Sequence, residues 1–306
     1  MKYNIRYILQ FFYLINFILS SEVTHALEKE DTIINKMHYI SDVIVTAERT
    51  KQQVKSISPF QQLNKKQLQQ QGITDIADAL RRFSGVNIKD YGGAGGMKTI
   101  SVRSLGAKHT AVVYDGVTLS DCQSGQIDLS RFSIDNIQQI SLTIGDNEDI
   151  FVPARTVASA AALKLQSISP DFSNKKNHLT GQIKTGSFGM INPLIRYEQK
   201  FNEKISASTT DEFMRADNLY PFTLVNGDYV SKEKRYNNNI QTYRGELNLY
   251  ISPNNRSTLN GKIYYYDTDQ QLPGAVILYN AKSREKLRER NFFSQVHYRT
   301  YWENNL

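Results

Sequence analysis

Leu259-Asn260-Gly261-Lys262-Ile263-Tyr264-Tyr265-Tyr266 alternates: Leu259, Gly261, Ile263 and Tyr265 fall on one side of an extended chain, and Asn260, Lys262, Tyr264 and Tyr266 on the other. A β-strand turns successive side chains to opposite faces, so this period predicts a strand with one apolar and one polar face. The pattern recurs. In 244–250, Gly245, Leu247 and Leu249 oppose Arg244, Glu246 and Asn248; in 292–302, Phe292, Val296, Tyr298 and Trp302 oppose Gln295, His297 and Arg299. Strands are also expected near 191–200 and 204–210, joined tightly at Asn202-Glu203, whereas 214–239 reads as a long polar loop. A soluble sandwich shows the same alternation. Strand length, aromatics near strand ends and the alternation of long and short connections favour a membrane barrel.

Upstream, from about 52 to 167, the texture is that of a small mixed α/β domain. Thr74 is placed to cap a helix over 75–83, with Ile76, Ala77, Leu80 and Phe83 on one side and Gly85 beyond its end. Short β-runs follow at 86–88, 99–102 and 110–114; the last meets Asp115-Gly116, a strong hairpin signal, before Val117 resumes the strand. Ile137 to Ile144 is another alternating strand, and Ala158 to Ala162 leads into Leu163-Lys164-Leu165.

The amino terminus carries Lys2 and Arg6 ahead of a largely apolar run from Tyr7 to Leu19, then small residues at Ser20, Ser21 and Ala26. That order is a secretory signal over 1–26, too short to span a bilayer as a helix; a membrane-anchored amino terminus is the alternative. No cysteine lies near the cleavage region, which argues against a lipoprotein anchor. No later segment approaches 18 apolar residues, so membrane residence after export requires a barrel. Residues 27–51 are a polar leader holding one β-prone run, Asp42-Val43-Ile44-Val45-Thr46-Ala47. Its three β-branched residues favour an extended backbone, either as a first strand paired internally or as a strand kept free for a partner's sheet edge.

The composition excludes several chemistries. The net charge of +7 is scattered among Lys65-Lys66, Lys175-Lys176 and the 282–290 stretch, which reads as a solvated surface and not as a nucleic-acid site. One cysteine, Cys122, excludes an internal disulfide and a multi-cysteine zinc site. The five histidines lack metal-ligand spacing, Cys122 has no nearby histidine, and Asp115 is explained as a turn former. Gly92-Gly93-Ala94-Gly95-Gly96-Met97-Lys98 fails the phosphate-loop pattern because Met97 separates glycine from lysine. No catalytic constellation emerges, so an enzyme is not expected, and no cofactor or metal is assigned. Asp217, Asp228, Asp267 and Asp269 fall in expected loops where Ca2+ is conceivable, but solvated loop charge is the preferred reading.

Taken in order, these segments resemble the TonB-dependent outer-membrane receptors. Asp42 to Ala47 looks like their TonB box. Ile76-Ala77-Asp78-Ala79-Leu80 through Phe83-Ser84-Gly85-Val86 is similar to the start of their plug domain. Ile100-Ser101-Val102-Arg103, Ala111-Val112-Val113-Tyr114-Asp115-Gly116-Val117 and Ile137 to Gly145 resemble its central strands. There are departures: Ser104 stands where the family usually has glycine, Gln138-Gln139-Ile140-Ser141 replaces an acidic pair, and 146–155 replaces a glycine-proline stretch.

The resemblance implies an α+β plug domain over 52–167, followed by an incomplete antiparallel transmembrane β-barrel over 176–306. At roughly 10 residues per strand plus loops, that stretch holds about six strands of an expected 22 or so. Such a sheet cannot close around a plug, so the chain is expected to be the amino-terminal part of a receptor and, as it stands, unable to transport. The resemblance also implies a Gram-negative outer-membrane location and TonB as periplasmic partner of Asp42, Val43, Ile44, Val45, Thr46 and Ala47. It further implies a small-molecule nutrient met by plug loops at Tyr91, Gly92, Gly93, Gly95, Gly96, Met97, Gln123 and Ser124. Without a carboxypeptidase-like domain before the box the glycan-importing branch is disfavoured, and cobalamin is preferred over a ferric siderophore. The competing expectation is a secreted structural or adhesive β-protein with a plug-like domain, or a non-functional receptor fragment.

Overall fold

The computed structural model describes residues 58–301 except 92–95, 122–123, 146–151, 174, 255 and 277–282. The signal segment, the leader and the 42–47 run therefore lie outside the described residues, as do Gly92, Gly93, Gly95, Cys122, Gln123 and Trp302.

The amino-terminal part of the described chain holds a small sheet, in the order β1 (Phe60–Asn64), β6 (Ile137–Ile144), β7 (Ala161–Ser167), β4 (Thr110–Tyr114), β5 (Val117–Thr118). Only the β4–β7 pairing is parallel. Two short helices, α1 (Lys65–Gln70) and α2 (Ile76–Leu80), and a separate hairpin of β2 (Val86–Asp90) and β3 (Lys98–Val102) pack on it. Its core joins Ile76 and Leu80 of α2 to Ile140, Leu142, Leu163 and Leu165. Fully burying such a side chain stabilises by about 1.5–3 kcal/mol, and the central strands supply most of these positions.

The helix over 75–83 is shorter than expected, and its cap differs. Asp75, not Thr74, is the N-cap, its Oδ1 accepting the Asp78 N–H at 2.7 Å. Asp115 and Gly116 both have positive φ (46° and 84°), as a two-residue hairpin turn requires. Arg103 and Ser104 also lie in the left-handed region (φ 49° and 59°), so Ser104 occupies a conformation that glycine adopts without strain.

The second sheet is entirely antiparallel: β8 (Asn177–Gly186), β9 (Met190–Lys200), β10 (Ile205–Ala216), β13 (Ile240–Asn254), β14 (Ser257–Leu272) and β15 (Glu285–Thr300). Each strand pairs with its neighbour in the chain, apart from an inserted hairpin of β11 (Pro221–Asn226) and β12 (Tyr229–Lys234). That hairpin corrects the expectation of a structureless 214–239. Val225-Asn226-Gly227-Asp228-Tyr229-Val230 holds a two-residue loop with Gly227 at φ 59°, so its backbone pairs across the turn and satisfies itself. Asp267 and Asp269 are likewise not loop residues. They lie in β14, opposite Arg290 and Arg288. Asp217 and Asp228 do sit in connections, and among the described residues no group of three His, Cys, Asp or Glu is arranged to hold a metal ion.

The connections differ by end. At one end they span 187–189, 217–239 and 273–284; at the other only 201–204 and 255–256. The two long connections, 217–239 and 273–284, thus share one rim with the short 187–189, and the other rim has short ones alone, a bias that outer-membrane barrels also show. Six strands do not close, and the described wall is an open sector.

Candidate functional site: the seam between the small sheet and the strand wall

The strand wall is inside out. Many of its apolar residues face away from the small sheet: Ile183 and Val296 are each 71 % exposed, and Leu179, Ile195 and Phe292 are also exposed. Charged residues on its other face are covered, with Lys262 at 5 % and Glu246 at 4 %. A soluble sheet buries the opposite face. The register aligns the outward positions across strands, as in Leu179–Tyr197–Thr209–Leu247–Ile263–Ser294. The inward row beside it carries the side chains that meet the small sheet.

At the centre stands Lys262, whose Nζ lies 2.5 Å from Glu246 Oε1 on the neighbouring strand and 2.5 Å from Asp115 Oδ2 at the β4–β5 turn. Glu246 Oε2 accepts the Tyr114 hydroxyl at 2.5 Å, and its Oε1 accepts from Asn248 Nδ2 at 2.9 Å. Asp115 is held from behind by the Ser167 N–H and hydroxyl, both at 2.7 Å. The Tyr114 ring completes the cage, with the ammonium 4.0 Å from its centroid. Burial, and then the Glu246 carboxylate, push the Tyr114 phenol well above its ordinary pKa, so it stays a donor.

A second group lies beside it. Arg244 donates to the carbonyls of Arg131 (3.0 Å) and Ser130 (2.8 Å) and pairs with Glu212 at 2.9 Å. Arg131 pairs with Glu289 at 2.6 Å and Asp121 at 3.3 Å, and its carbonyl also accepts the Tyr264 hydroxyl. A third lies where the chain leaves the small sheet: Arg196 donates to Asn136 Oδ1 (3.1 Å) and the Ile168 carbonyl (2.6 Å), and Lys184 pairs with Asp135 at 2.6 Å. Between the first two groups Tyr264 and Phe293 stack at 4.7 Å, with Tyr114 edge-on to both. A cavity of about 250 Å³ opens next to this cluster, between Leu119, Arg131 and Phe132 on one side and Phe293 and Gln295 on the other.

Of the sequence-expected ligand-facing residues that are described, Tyr91 is exposed, Gly96 is buried, and Met97 and Ser124 are half-buried. Tyr91 N–H donates to the Met97 carbonyl at 3.0 Å, and Ser124 is turned onto Asp121, which accepts its N–H at 2.7 Å. The seam residues Lys262, Glu246, Arg244, Glu212 and Arg131 were not singled out by sequence. The available signal was the recurrence of full charges on the polar faces of strands whose other face is apolar.

The α+β domain is seated on the polar face of an antiparallel sector, and the comparisons bear on both parts. The family model described as the TonB-dependent receptor plug domain matches residues 52–151. Over those residues the chain is similar to the plug domain of the TonB-dependent receptors. Beyond the plug, the chain is similar to three solved structures. The ferric citrate transporter FecA in its unliganded form aligns with a TM-score of 0.58 at 15 % identity, over 81 % of this chain and 38 % of that one. The ferric enterobactin receptor of Pseudomonas aeruginosa gives 0.56 at 13 %, over 82 % and 40 %. The copper transporter OprC gives 0.54 at 15 %, over 71 % and 31 %. At such identities the likeness is one of fold, and the chain spans 31–40 % of the length of these three. The seam is thus the contact between the plug domain and a partial barrel wall.

Proposed function

We propose that this chain serves as the plug and first wall sector of an outer-membrane receptor that imports a scarce nutrient with energy from periplasmic TonB. The observation that carries the reading is the inverted wall: charged side chains are buried against the plug while Ile183, Ile195, Phe292 and Val296 face outward, where lipid would lie. In this reading the plug occludes the lumen, and loops 91–97 and 121–126 meet the ligand from the long-connection side. The run Asp42 to Ala47 adds a strand to TonB. The signal at 1–26 delivers the chain to the periplasm, and no catalytic role is assigned.

For the ligand class, a metal-containing nutrient is the reading we support. The similar structures are named for ferric citrate, ferric enterobactin and copper. The cobalamin preference rests on the sequence resemblance alone, and a ferric chelate fits these relatives better. A secreted adhesive β-protein is disfavoured by the outward apolar face, which would be unprotected in water.

The test is binding of the full chain, in detergent micelles, to the purified carboxy-terminal domain of TonB. Val45→Pro removes a backbone donor needed for strand addition and is expected to abolish binding while leaving the plug sheet folded. Undiminished binding would remove Asp42–Ala47 from the proposal.

A further inference from the structure

The outward face of β15 changes character along its length. Lys286, Arg288 and Arg290 occupy successive outward positions beside the 273–284 connection, and Phe292, Ser294, Val296 and Tyr298 continue the same row toward the other rim. The cationic third is therefore at the long-connection end, and the apolar remainder runs on with Ile263 and Leu259 of β14 beside it. Two carboxylates share the upper third. Asp267 is covered, with Arg290 Nε at 2.9 Å and Arg288 at 3.6 Å, and Asp269 is exposed opposite Arg288. Asp267 thus draws both guanidiniums together on the outward face, meeting Arg290 at its Nε. Three cations against two carboxylates leave a positive excess next to an exposed apolar strip.

From this juxtaposition we infer that the outward face of β14 and β15 binds a phosphate-bearing membrane lipid. Arg288 and Arg290 take the phosphate, Lys286 adds charge above it, and the acyl chains lie along Phe292, Val296 and Ile263. A guanidinium fork matches phosphate oxygens in pairs. Cations at a bilayer rim attract anionic headgroups, while an outward row of this kind accepts only hydrocarbon below them. A free anion would use the arginines alone and leave the strip unexplained, so the occupant is a lipid. The inference rests on the reading of the strands as a membrane wall.

The experiment titrates the full chain in neutral maltoside micelles with lipid A, and separately with phosphatidylcholine and inorganic phosphate, counting bound molecules by native mass spectrometry. Retention of lipid A with little phosphatidylcholine or free phosphate is expected. Arg288→Gln with Arg290→Gln should weaken retention about thirtyfold. Lys286→Gln with Arg288→Gln keeps the Arg290–Asp267 pair and should weaken it similarly, with the wall's circular dichroism unchanged. Equal retention of phosphatidylcholine, tight binding of inorganic phosphate, or unchanged affinity in both variants overturns the inference. A chain that takes up no micelle overturns the membrane reading and this site with it. One that takes up micelles without discriminating among lipids overturns this site alone.

Discussion

Lys262→Met removes the cation at the centre of the plug–wall seam while keeping most of the stem's volume. What remains is unequal. Asp115 keeps two hydrogen bonds from Ser167, whereas Glu246 keeps the Tyr114 hydroxyl and Asn248 but has no counter-charge, and it is 4 % exposed. Removing one partner of a buried pair costs about 3–5 kcal/mol, and the two surviving bonds to Glu246 put this case near 3. At about 1.36 kcal/mol per factor of ten, the opening equilibrium of β4 and β7 should rise on the order of 150-fold. Amide hydrogen exchange on the full chain in micelles reads this directly, in peptides covering 110–114 and 161–167. Adding Glu246→Gln to the same variant removes the stranded charge and should restore at least tenfold of the lost protection. If exchange in those peptides stays within threefold of the parent, or if the double variant exchanges faster than the single one, the seam is not held by this pair.

Four further outcomes are expected. Asp75 is pushed up by burial, but hydrogen bonds from Lys98 and the Asp78 N–H outweigh that and hold it below the ordinary carboxylate range. Its contribution is therefore present above the unfolded value of about 3.9 and lost as pH falls through the lower folded value; Asp75→Asn should flatten the acid limb of a stability–pH curve, and an unchanged limb would refute this. Leu163→Ala, at a fully buried position of β7, should cost about 2–5 kcal/mol in a urea titration, and a loss below 1 would mean the plug core is not centred there. Ser104→Gly relieves a left-handed φ of 59° and should be neutral to stabilising by up to about 1 kcal/mol; clear destabilisation would show that the serine side chain is needed. Ile195→Lys on the outward face should weaken insertion into vesicles by about 2–4 kcal/mol, and Thr210→Lys on the covered face should instead loosen the plug; equal effects on insertion would undo the assignment of faces.

Much of the fold was legible locally. Period-two alternation located β13, β14 and β15, and Asp115-Gly116 located its hairpin, because side-chain period and turn conformation are properties of neighbouring residues. The cap moved by one residue, since Thr74 and Asp75 both offer an oxygen and only the helix trajectory chooses between them. The β11–β12 hairpin was hidden by its polarity: Lys232, Glu233 and Lys234 look like loop, yet Gly227-Asp228 was a readable turn signal. The seam was not legible. Asp115 forms a turn with its backbone and an ion pair with its side chain, and its partner Lys262 is a long chain distance away. Alternation also leaves open which face is covered. Only the placement of Lys262 and Glu246 against the plug, with Val296 outside, decides that.

The polarity of the seam bears on reversibility. Two greasy surfaces pressed together resist parting because water gains nothing by returning between them. Around Arg196, Arg244 and Lys262 both sides are wettable, so each hydrogen bond broken on separation is replaced by one to solvent, and the work can be recovered when the surfaces rejoin. The rings of Tyr264 and Phe293, stacked with Tyr114 edge-on to them, are an apolar spot of adhesion on this rehydratable contact. A domain mounted this way meets its wall less as a cork glued into its bottle than as a ground-glass stopper, through surfaces that water can re-cover.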